Sequence, residues 1–213
     1  MNKSVILGSA YLGPVEYYAK LYAYDTAYIE QYDHYMKQTY RNRGVIASAN
    51  GPLALTIPTD KGNEEKCLMK DIRISDHGKW RHTHWNAFVA SYKQSPYFDY
   101  YADEFRTFFE KDYQFLFDFN MELCEWVCQQ IDFKPNMIPT EDFCEQVENM
   151  DDFREKIHPK LKMVEDFYPK PYYQVFEQKQ GFIPNLSIAD LLFNMGPEAL
   201  LVLRDCDKKT SKI

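Results

Sequence analysis

The chain has 213 residues, with 25 basic and 32 acidic side chains that give a formal net charge of −7 at pH 7. This balance argues against an extended nucleic-acid surface, because binding the phosphate backbone needs a broad excess of lysine and arginine. A hydrophobic content of 45% is sufficient for a folded core, so the length fits one substantial domain. No apolar run of roughly 18 residues occurs, so no membrane span is expected.

The cysteine pattern indicates a reducing compartment. The number of cysteines is odd, and their spacing includes no repeated C-x-x-C pair, so buried free thiols are predicted rather than a disulfide framework. Because free thiols are typical of the cell interior, the predicted location is cytoplasmic. The five residues are Cys67, Cys124, Cys128, Cys144 and Cys206.

The first 30 residues predict a strand, a helix and a second strand. Apolar residues 5–7, which end at Gly8, and residues 26–29 read as strands. Residues 15 to about 22 are predicted to be helical, with Pro14 in the first turn, where its fixed φ fits and its missing N–H is not needed. A strand–helix–strand unit of this size implies a parallel pair of strands.

Residues 44–57 predict a β-hairpin, because two β-rich runs flank Asn50-Gly51, a strong turn signal. Pro52 predicts a turn that departs from the simplest two-residue form. Farther along, apolar residues at alternate positions predict a half-buried strand over 68–74, followed by Ser75-Asp76 as a cap.

The remaining sequence is predicted to be largely helical. Mixed spacings of three and four between apolar residues indicate helices over 80–92, 98–109 and 115–131. After a proline-rich stretch, a short helix over 151–158 is predicted. Ser187 is the expected N-cap of a helix over 188–193, with Asp190 in place of the capping-box glutamate. Gly196-Pro197 interrupts the pattern before it resumes over 198–203.

Together these elements predict an α/β fold in a single domain that spans residues 1–213. A small mixed sheet, formed by the βαβ start and the hairpin, is expected in the N-terminal part, residues 1–78. Residues 79–206 are expected to form a largely helical C-terminal part, and residues 207–213 a frayed tail.

The segment 31–43 is the strongest candidate for a binding site, because it concentrates hydrogen-bonding side chains among tyrosines without a helical period. Arg41 and Arg43 flank Asn42, and an arginine can grip a phosphate or carboxylate at two points. Both would lie on one side of an extended segment. The alternative is that the arginines form ion pairs within the fold. The residues predicted to bind an anionic small molecule are Lys37, Gln38, Arg41, Asn42 and Arg43.

Two carboxylates lie close to these cations in the sequence. Glu30 and Asp33 could bind a hydroxyl group or act as a base, but neutralisation of the neighbouring arginines is the preferred interpretation.

A second polar and aromatic cluster occupies residues 80–85. His84 is the predicted general base, because imidazole titrates near neutral pH, and the alternative is a helix histidine that packs beside Trp80. His82 and His84 would share one face on a strand, but the flanking pattern favours a helix. The spacing indicates no third ligand, so no metal site is predicted.

Tyr11 lies at the predicted turn between the first strand and its helix, where parallel α/β sheets bind ligands. Its ring could stack on a base or a sugar, as could that of Trp80. Because the chain contains 17 tyrosines, packing in the core is the alternative.

Several long motifs together resemble one protein family over nearly the whole chain. They are Tyr17-Tyr18-Ala19-Lys20-Leu21, Lys37-Gln38-Thr39-Tyr40-Arg41-Asn42-Arg43, Asn50-Gly51-Pro52, His84-Trp85, Ser95-Pro96-Tyr97-Phe98 and Phe182-Ile183-Pro184-Asn185-Leu186-Ser187. In these the chain resembles the WbqC-like family, in particular its Bacteroides-type members. It departs from the pattern at Gly8-Ser9-Ala10, where the broader family often has Gln-Pro, and at Met195, where many close relatives have glutamate.

The resemblance implies group transfer, of an aminoacyl or acyl group, in the assembly of O-antigen or other surface polysaccharide. On this hypothesis Arg41, Arg43 and Lys37 hold the anionic part of a donor such as a nucleotide or nucleotide-sugar. Tyr11 and Trp80 stack on the donor, and His84 accepts the proton. These residues imply no particular cofactor or oligomeric state.

Two other functions stay open. One is a non-catalytic module that binds a nucleotide-sugar or glycan, or scaffolds assembly enzymes. The other is a nucleotidylyl-transfer-like enzyme, although this chain has Pro14-Val15-Glu16-Tyr17 where those enzymes carry a His-x-Gly-His motif.

Overall fold

A sheet of four parallel strands lies at the centre of the fold, in the order β7–β2–β1–β8. β1 (Ser4–Gly8) pairs with β2 (Thr26–Glu30) on one side and with β8 (Met150–Asp152) on the other, and β2 pairs with β7 (Met137–Pro139). The predicted α/β class and the parallel βαβ start are therefore confirmed. The computed structural model describes residues 3–60, 66–143, 145 and 150–207.

The βαβ unit follows from its local sequence. Val5, Ile6 and Leu7 of β1 are all fully buried, as expected for a central strand covered on both faces. α1 (Val15–Ala23) then returns the chain to β2. Pro14 precedes this helix as its N-cap rather than lying inside its first turn, because its extended backbone forms an isolated β-bridge with Ser187.

The hairpin forms an antiparallel ribbon of its own and does not join the sheet, which is parallel throughout. β3 (Arg43–Ser48) and β4 (Gly51–Thr56) are connected by two residues, so the prediction of a turn that departs from the two-residue form was wrong. Pro52 is tolerated in β4 because its partner Ala47 donates its N–H to the Tyr92 hydroxyl at 3.2 Å. The missing N–H of proline therefore breaks no ladder bond.

The predicted strand over 68–74 was also wrong for most of its length. Met69–Asp71 form a 3₁₀ turn, and only β6 (Arg73–Ile74) is extended, paired with β5 (Thr59–Asp60). The buried residues Met69 and Ile72 are three apart, which suits one face of a 3₁₀ turn.

Three predicted helices are confirmed: α2 (Trp80–Tyr92), α3 (Phe98–Glu110) and α4 (Leu116–Gln130). Aromatic rings pack between them, with Phe88 and Phe105 at a centroid distance of 4.9 Å. The helices therefore share an aromatic core, which buries large rings at edge-to-face geometry.

Ser75-Asp76 does not cap α2, because the residue at the N-cap position is Lys79, in the left-handed region at φ 49°. The Asp76 carboxylate instead pairs with Arg81.

The C-terminal part supplies strands as well as helices. The predicted helix over 151–158 was wrong, because its first two residues belong to β8, which pairs with β1, and turns follow. The helices that follow are α5 (Glu177–Gln180), α6 (Ile188–Met195) and α7 (Ala199–Asp205).

Ser187 caps α6 as predicted, since its Oγ accepts from the Ala189 N–H at 3.2 Å. Asp190 is not a capping residue. Its buried carboxylate accepts hydrogen bonds from the hydroxyls of Tyr92 and Tyr172. Gly196 begins the predicted interruption between α6 and α7.

Asp207 was predicted to start a frayed tail, but it is fully buried and paired with Lys20 at 2.7 Å. Residues 208–213 lie outside the described ranges. Of the predicted free thiols, Cys124, Cys128 and Cys206 are free and buried, Cys67 is buried, and Cys144 is outside those ranges. None of the helices in the described parts of the chain has the length and apolar character that a membrane crossing requires.

Gly196→Ala is expected to lower the free energy of unfolding by about 2 kcal/mol. Gly196 lies at φ 54°, and an added Cβ would approach the Tyr97 ring to 2.6 Å. Gly181→Ala is a matched control, because Gly181 also combines a positive φ of 70° with an extended ψ, of −179° against −133° in Gly196, but has nothing within 4 Å of an added Cβ, so only the backbone cost of about 1 kcal/mol applies. Urea denaturation measures both, and equal losses would contradict the predicted clash.

Candidate functional site

The carboxyl ends of β1, β2 and β8 form one edge of the sheet, and charged side chains meet there. Arg154, two residues after β8, donates to Glu30 at the end of β2 at 2.9 Å and to Asp152 at the end of β8 at 2.7 Å. It thus links the two strands that flank β1. Ligands of open parallel sheets bind at this edge, beside the strand where the chain order reverses.

Arg41 lies over the end of β1. A Cβ placed on Gly8 would be 3.5 Å from Arg41 Nη2, so the guanidinium rests directly against the strand. The same nitrogen donates to Asp33 and, at 3.0 Å, to Glu155. The Arg41 and Asp33 side chains are 4% and 10% exposed, whereas Glu155 is 60% exposed, so Glu155 is the replaceable partner.

Burial and pairing shift the acidities of these groups. Burial raises the pKa of Asp33, and this effect outweighs the lowering by Arg41. Burial lowers the pKa of Arg41, but Asp33 and Glu155 more than compensate, so the pKa lies above its usual value and the guanidinium stays charged. Burial likewise opposes ionisation of Asp152, yet bonds from Arg154 bring its pKa below the usual value.

Two buried polar atoms in this ion pair lack a partner among the described residues. They are Asp33 Oδ1 and Arg41 Nε. A buried acceptor or donor without a hydrogen bond is costly, and such atoms in native proteins call for a specific explanation. A bound ligand or water would satisfy both.

Two cavities adjoin the Asp33–Arg41 ion pair, and Arg154 lines both of them. The first, which we call the β1 slot, is a space of about 20 Å³, enough for about one water molecule. The second, which we call the edge pocket, has a volume of about 350 Å³. The slot is bounded by Gly8, Ser9, Ala10, Thr39, Arg41 and Arg154, and the edge pocket by Tyr32, Asp33, His34, Phe143, Asp152, Arg154 and Glu155.

The five residues predicted to bind an anionic small molecule do not converge on one site. Lys37 and Gln38 are exposed, and Gln38 accepts from Lys160 at 3.0 Å. Asn42 is buried and donates to the Ile57 carbonyl at 2.9 Å. Arg43 donates to Thr56 within the ribbon at 3.2 Å, so it shares no partner with Arg41. Only Arg41 reaches the edge of the sheet.

Tyr11, Trp80 and His84 form a separate buried cluster. The Tyr11 hydroxyl lies 2.9 Å from His84 Nδ1, and the Trp80 and His84 rings are 5.1 Å apart. Tyr11 is fully buried and Trp80 nearly so, which leaves neither ring face open for stacking in this conformation. Burial lowers the pKa of His84 to about 4, so the imidazole is neutral at physiological pH.

A third cavity, of about 390 Å³, lies between β4 and α2 and has Trp80 and His84 in its wall. Its lining contains histidines but no lysine, arginine, aspartate or glutamate. His82 is exposed and bonds Asn86 at 2.9 Å, away from His84. No group of three potential metal ligands occurs in the described ranges.

The model of the WbqC-like protein family matches residues 9–165 of this chain, which is well over half of its length. The chain belongs to the WbqC-like protein family. Uncharacterized protein Rv1507c of Mycobacterium tuberculosis is 25% identical over 231 aligned positions, which cover 97% of this chain and 99% of that protein. No solved structure matched.

The region that matches the WbqC-like family includes the site at the sheet edge. Asp33, Arg41, Asp152, Arg154 and Glu155 all lie within residues 9–165. The sequence indicated Arg41, and it offered Asp33 only as a neutralising partner. It gave no signal for the other three, because the charged run 151–155 resembles the surface of a helix and not the end of a strand.

Proposed function

We propose that this WbqC-like protein is a cytoplasmic group transferase that moves an aminoacyl or acyl group in the assembly of O-antigen or other surface polysaccharide. Family membership supports the assignment to polysaccharide assembly. The chemistry of the sheet edge supports group transfer, because it combines a candidate proton acceptor with two cations beside a ligand-sized pocket.

The observation that carries the proposal is the state of Asp33. Its carboxylate is buried, its pKa is raised by burial, and Oδ1 has no partner within the described chain. A transferase needs a base that takes a proton from the attacking group, and a carboxylate whose pKa is raised toward neutrality serves that role. We therefore assign the base to Asp33 instead of His84.

Arg41 and Arg154 are the proposed contacts for the anionic part of the donor. Both arginine side chains line the β1 slot, and no carboxylate side chain does. The exposed Glu155 can leave Arg41 when a donor phosphate or carboxylate replaces it, and a charge-assisted bond to arginine would compensate for the exchange. Lys37 and Gln38, exposed in the same loop, are candidate contacts for the outer part of a nucleotide or nucleotide-sugar.

The test begins with a thermal-shift screen of the purified chain against nucleotides, nucleotide-sugars, amino acids and acyl esters, since a ligand that binds only the native state raises the melting temperature. Transfer is then measured with the compounds that bind. Asp33→Asn is expected to reduce turnover about 100-fold, the lower range for loss of a general base.

Asp103→Asn is the matched control, because Asp103 is an exposed aspartate on α3. It should leave turnover unchanged. Wild-type turnover in Asp33→Asn would overturn the assignment. Ligand binding without turnover of any donor would favour a non-catalytic binding module.

A further inference from the structure

The lining of the edge pocket combines carboxylates with aromatic rings. It includes three carboxylates, Asp33, Asp152 and Glu155, and one guanidinium, Arg154, and the guanidinium of Arg41 pairs with Asp33 and Glu155 from outside the lining. Lys70, near Tyr32, is paired with Asp71 at 3.7 Å. An anionic ligand would therefore meet like charges at short range, whereas a cationic group would be favoured.

These carboxylates are not equally available. Asp152 accepts hydrogen bonds from Arg154 at both of its oxygens, Oδ1 at 3.2 Å and Oδ2 at 2.7 Å. Asp33 has only Oδ2 engaged, by Arg41, and its buried Oδ1 is unpartnered in the part of the chain that the structure describes. Glu155 is largely exposed, and its Oε1 accepts from Arg41 at 3.0 Å, a bond that a ligand can replace. Asp33 and Glu155 are thus the acceptors left for a ligand that can donate hydrogen bonds.

The pocket lining also offers flat apolar surface. Phe143 is 47% exposed, and the Arg154 guanidinium lies 5.4 Å from its centroid. Tyr32 also lines the pocket. Aromatic faces pack against the apolar face of a small ring and attract nearby cationic groups.

From these features we infer that the edge pocket binds the primary ammonium group of an amino sugar. Asp33 and Glu155 accept its hydrogen bonds, and Phe143 packs against the sugar ring. If the proposed transferase activity holds, the acceptor of the group is this amine and the product is an amide. This assignment places the cationic acceptor in the edge pocket beside Arg154, which is also a proposed contact of the donor.

The proposed reaction is the aminolysis of an ester. Asp33 takes one proton from the ammonium, and the freed nitrogen lone pair attacks the acyl carbon of an ester donor. The new carbon–nitrogen bond forms as the acyl carbon–oxygen bond breaks. The departing oxygen keeps that electron pair and takes the second nitrogen proton, which leaves a neutral amide. Asp33 then releases its proton to solvent.

Binding is tested on the full chain by calorimetric titration with glucosamine and with glucose, which differ in one ammonium group. Glucosamine is expected to bind at least about tenfold more tightly, corresponding to one good charged hydrogen bond. Asp33→Asn should remove this preference, and Asp103→Asn should keep it. Equal affinities, or no glucosamine binding, would overturn the inference.

Glu155→Gln keeps the test valid if Asp33→Asn fails to fold, because Glu155 is exposed. It should weaken glucosamine binding several-fold and leave glucose unaffected, and an unchanged glucosamine affinity would contradict the assignment. Since no donor is present, the result is separable from the transferase proposal. Glucosamine binding without any transfer would contradict only the proposed transferase activity. Transfer to hydroxyl acceptors alone would contradict only the proposed amine acceptor.

Discussion

Lys20→Met is expected to lower the free energy of unfolding by about 4 kcal/mol, because it removes a buried cation that pairs with a buried carboxylate. Lys20 and Asp207 are both fully buried, and their 2.7 Å bond joins α1 to the end of the described chain. Asp166 also bonds Lys20, at 2.8 Å. Methionine preserves the length of the side chain, so the loss reports the charge and not a cavity.

Urea denaturation of three variants isolates that charge effect. Lys93→Met, at an exposed lysine, should change stability by less than about 0.5 kcal/mol. The double variant Lys20→Met, Asp207→Leu should recover much of the loss, because a buried ion pair is replaced by apolar groups. If Lys20→Met were as stable as the wild type, Lys20 would not be a partner that stabilises Asp207.

Asp190→Ala is expected to cost about 3 kcal/mol, since three buried donors would lose one acceptor group. The hydroxyls of Tyr92 and Tyr172 donate to Asp190 at 2.9 and 2.8 Å, and the Gln174 amide donates at 3.0 Å. These bonds join α6 to α2 and to the loop before α5. Denaturation should show this loss, whereas Asp118→Ala, at an exposed aspartate of α4, should show almost none.

The same carboxylate makes stability depend on pH in a defined direction. Burial raises the pKa of Asp190 from 3.8 to about 6, so the folded state binds this proton more tightly than the unfolded state. The stabilisation is complete below the unfolded pKa and is lost as pH rises through about 6. Between pH 4 and pH 6 the free energy of unfolding of the wild type should therefore fall relative to that of Asp190→Asn. Parallel pH dependences of the two free energies would contradict this.

The start of the fold was predictable because its signals are local. β1, α1 and β2 lie within 30 residues, and the apolar run of β1 fits a strand covered on both faces. β7 and β8 have three residues each, and they pair with strands more than 100 residues away in sequence. A three-residue run carries no usable period, so their existence depends on tertiary contacts that the sequence does not display.

The candidate site was predictable only where it lies near the start of the fold. Arg41 stood out because it belongs to a dense polar segment, and the interpretation of Asp33 as its neutralising partner agrees with their ion pair. Arg154 could not be assigned to the site, since its position depends on β8. His84 and Tyr11 have residue types that suit a site, but their surroundings are core, and only tertiary structure separates those possibilities.

Hydrogen exchange by mass spectrometry tests the central claim, that the ligand site lies at the carboxyl edge of the parallel sheet, most directly. The full chain is compared with and without the compound that gives the largest thermal shift. Bound ligand should slow exchange in residues 8–10, 31–41 and 150–155, where local opening becomes less frequent. Slowing confined to residues 51–58 and 77–87, around the cavity beside His84, would contradict it.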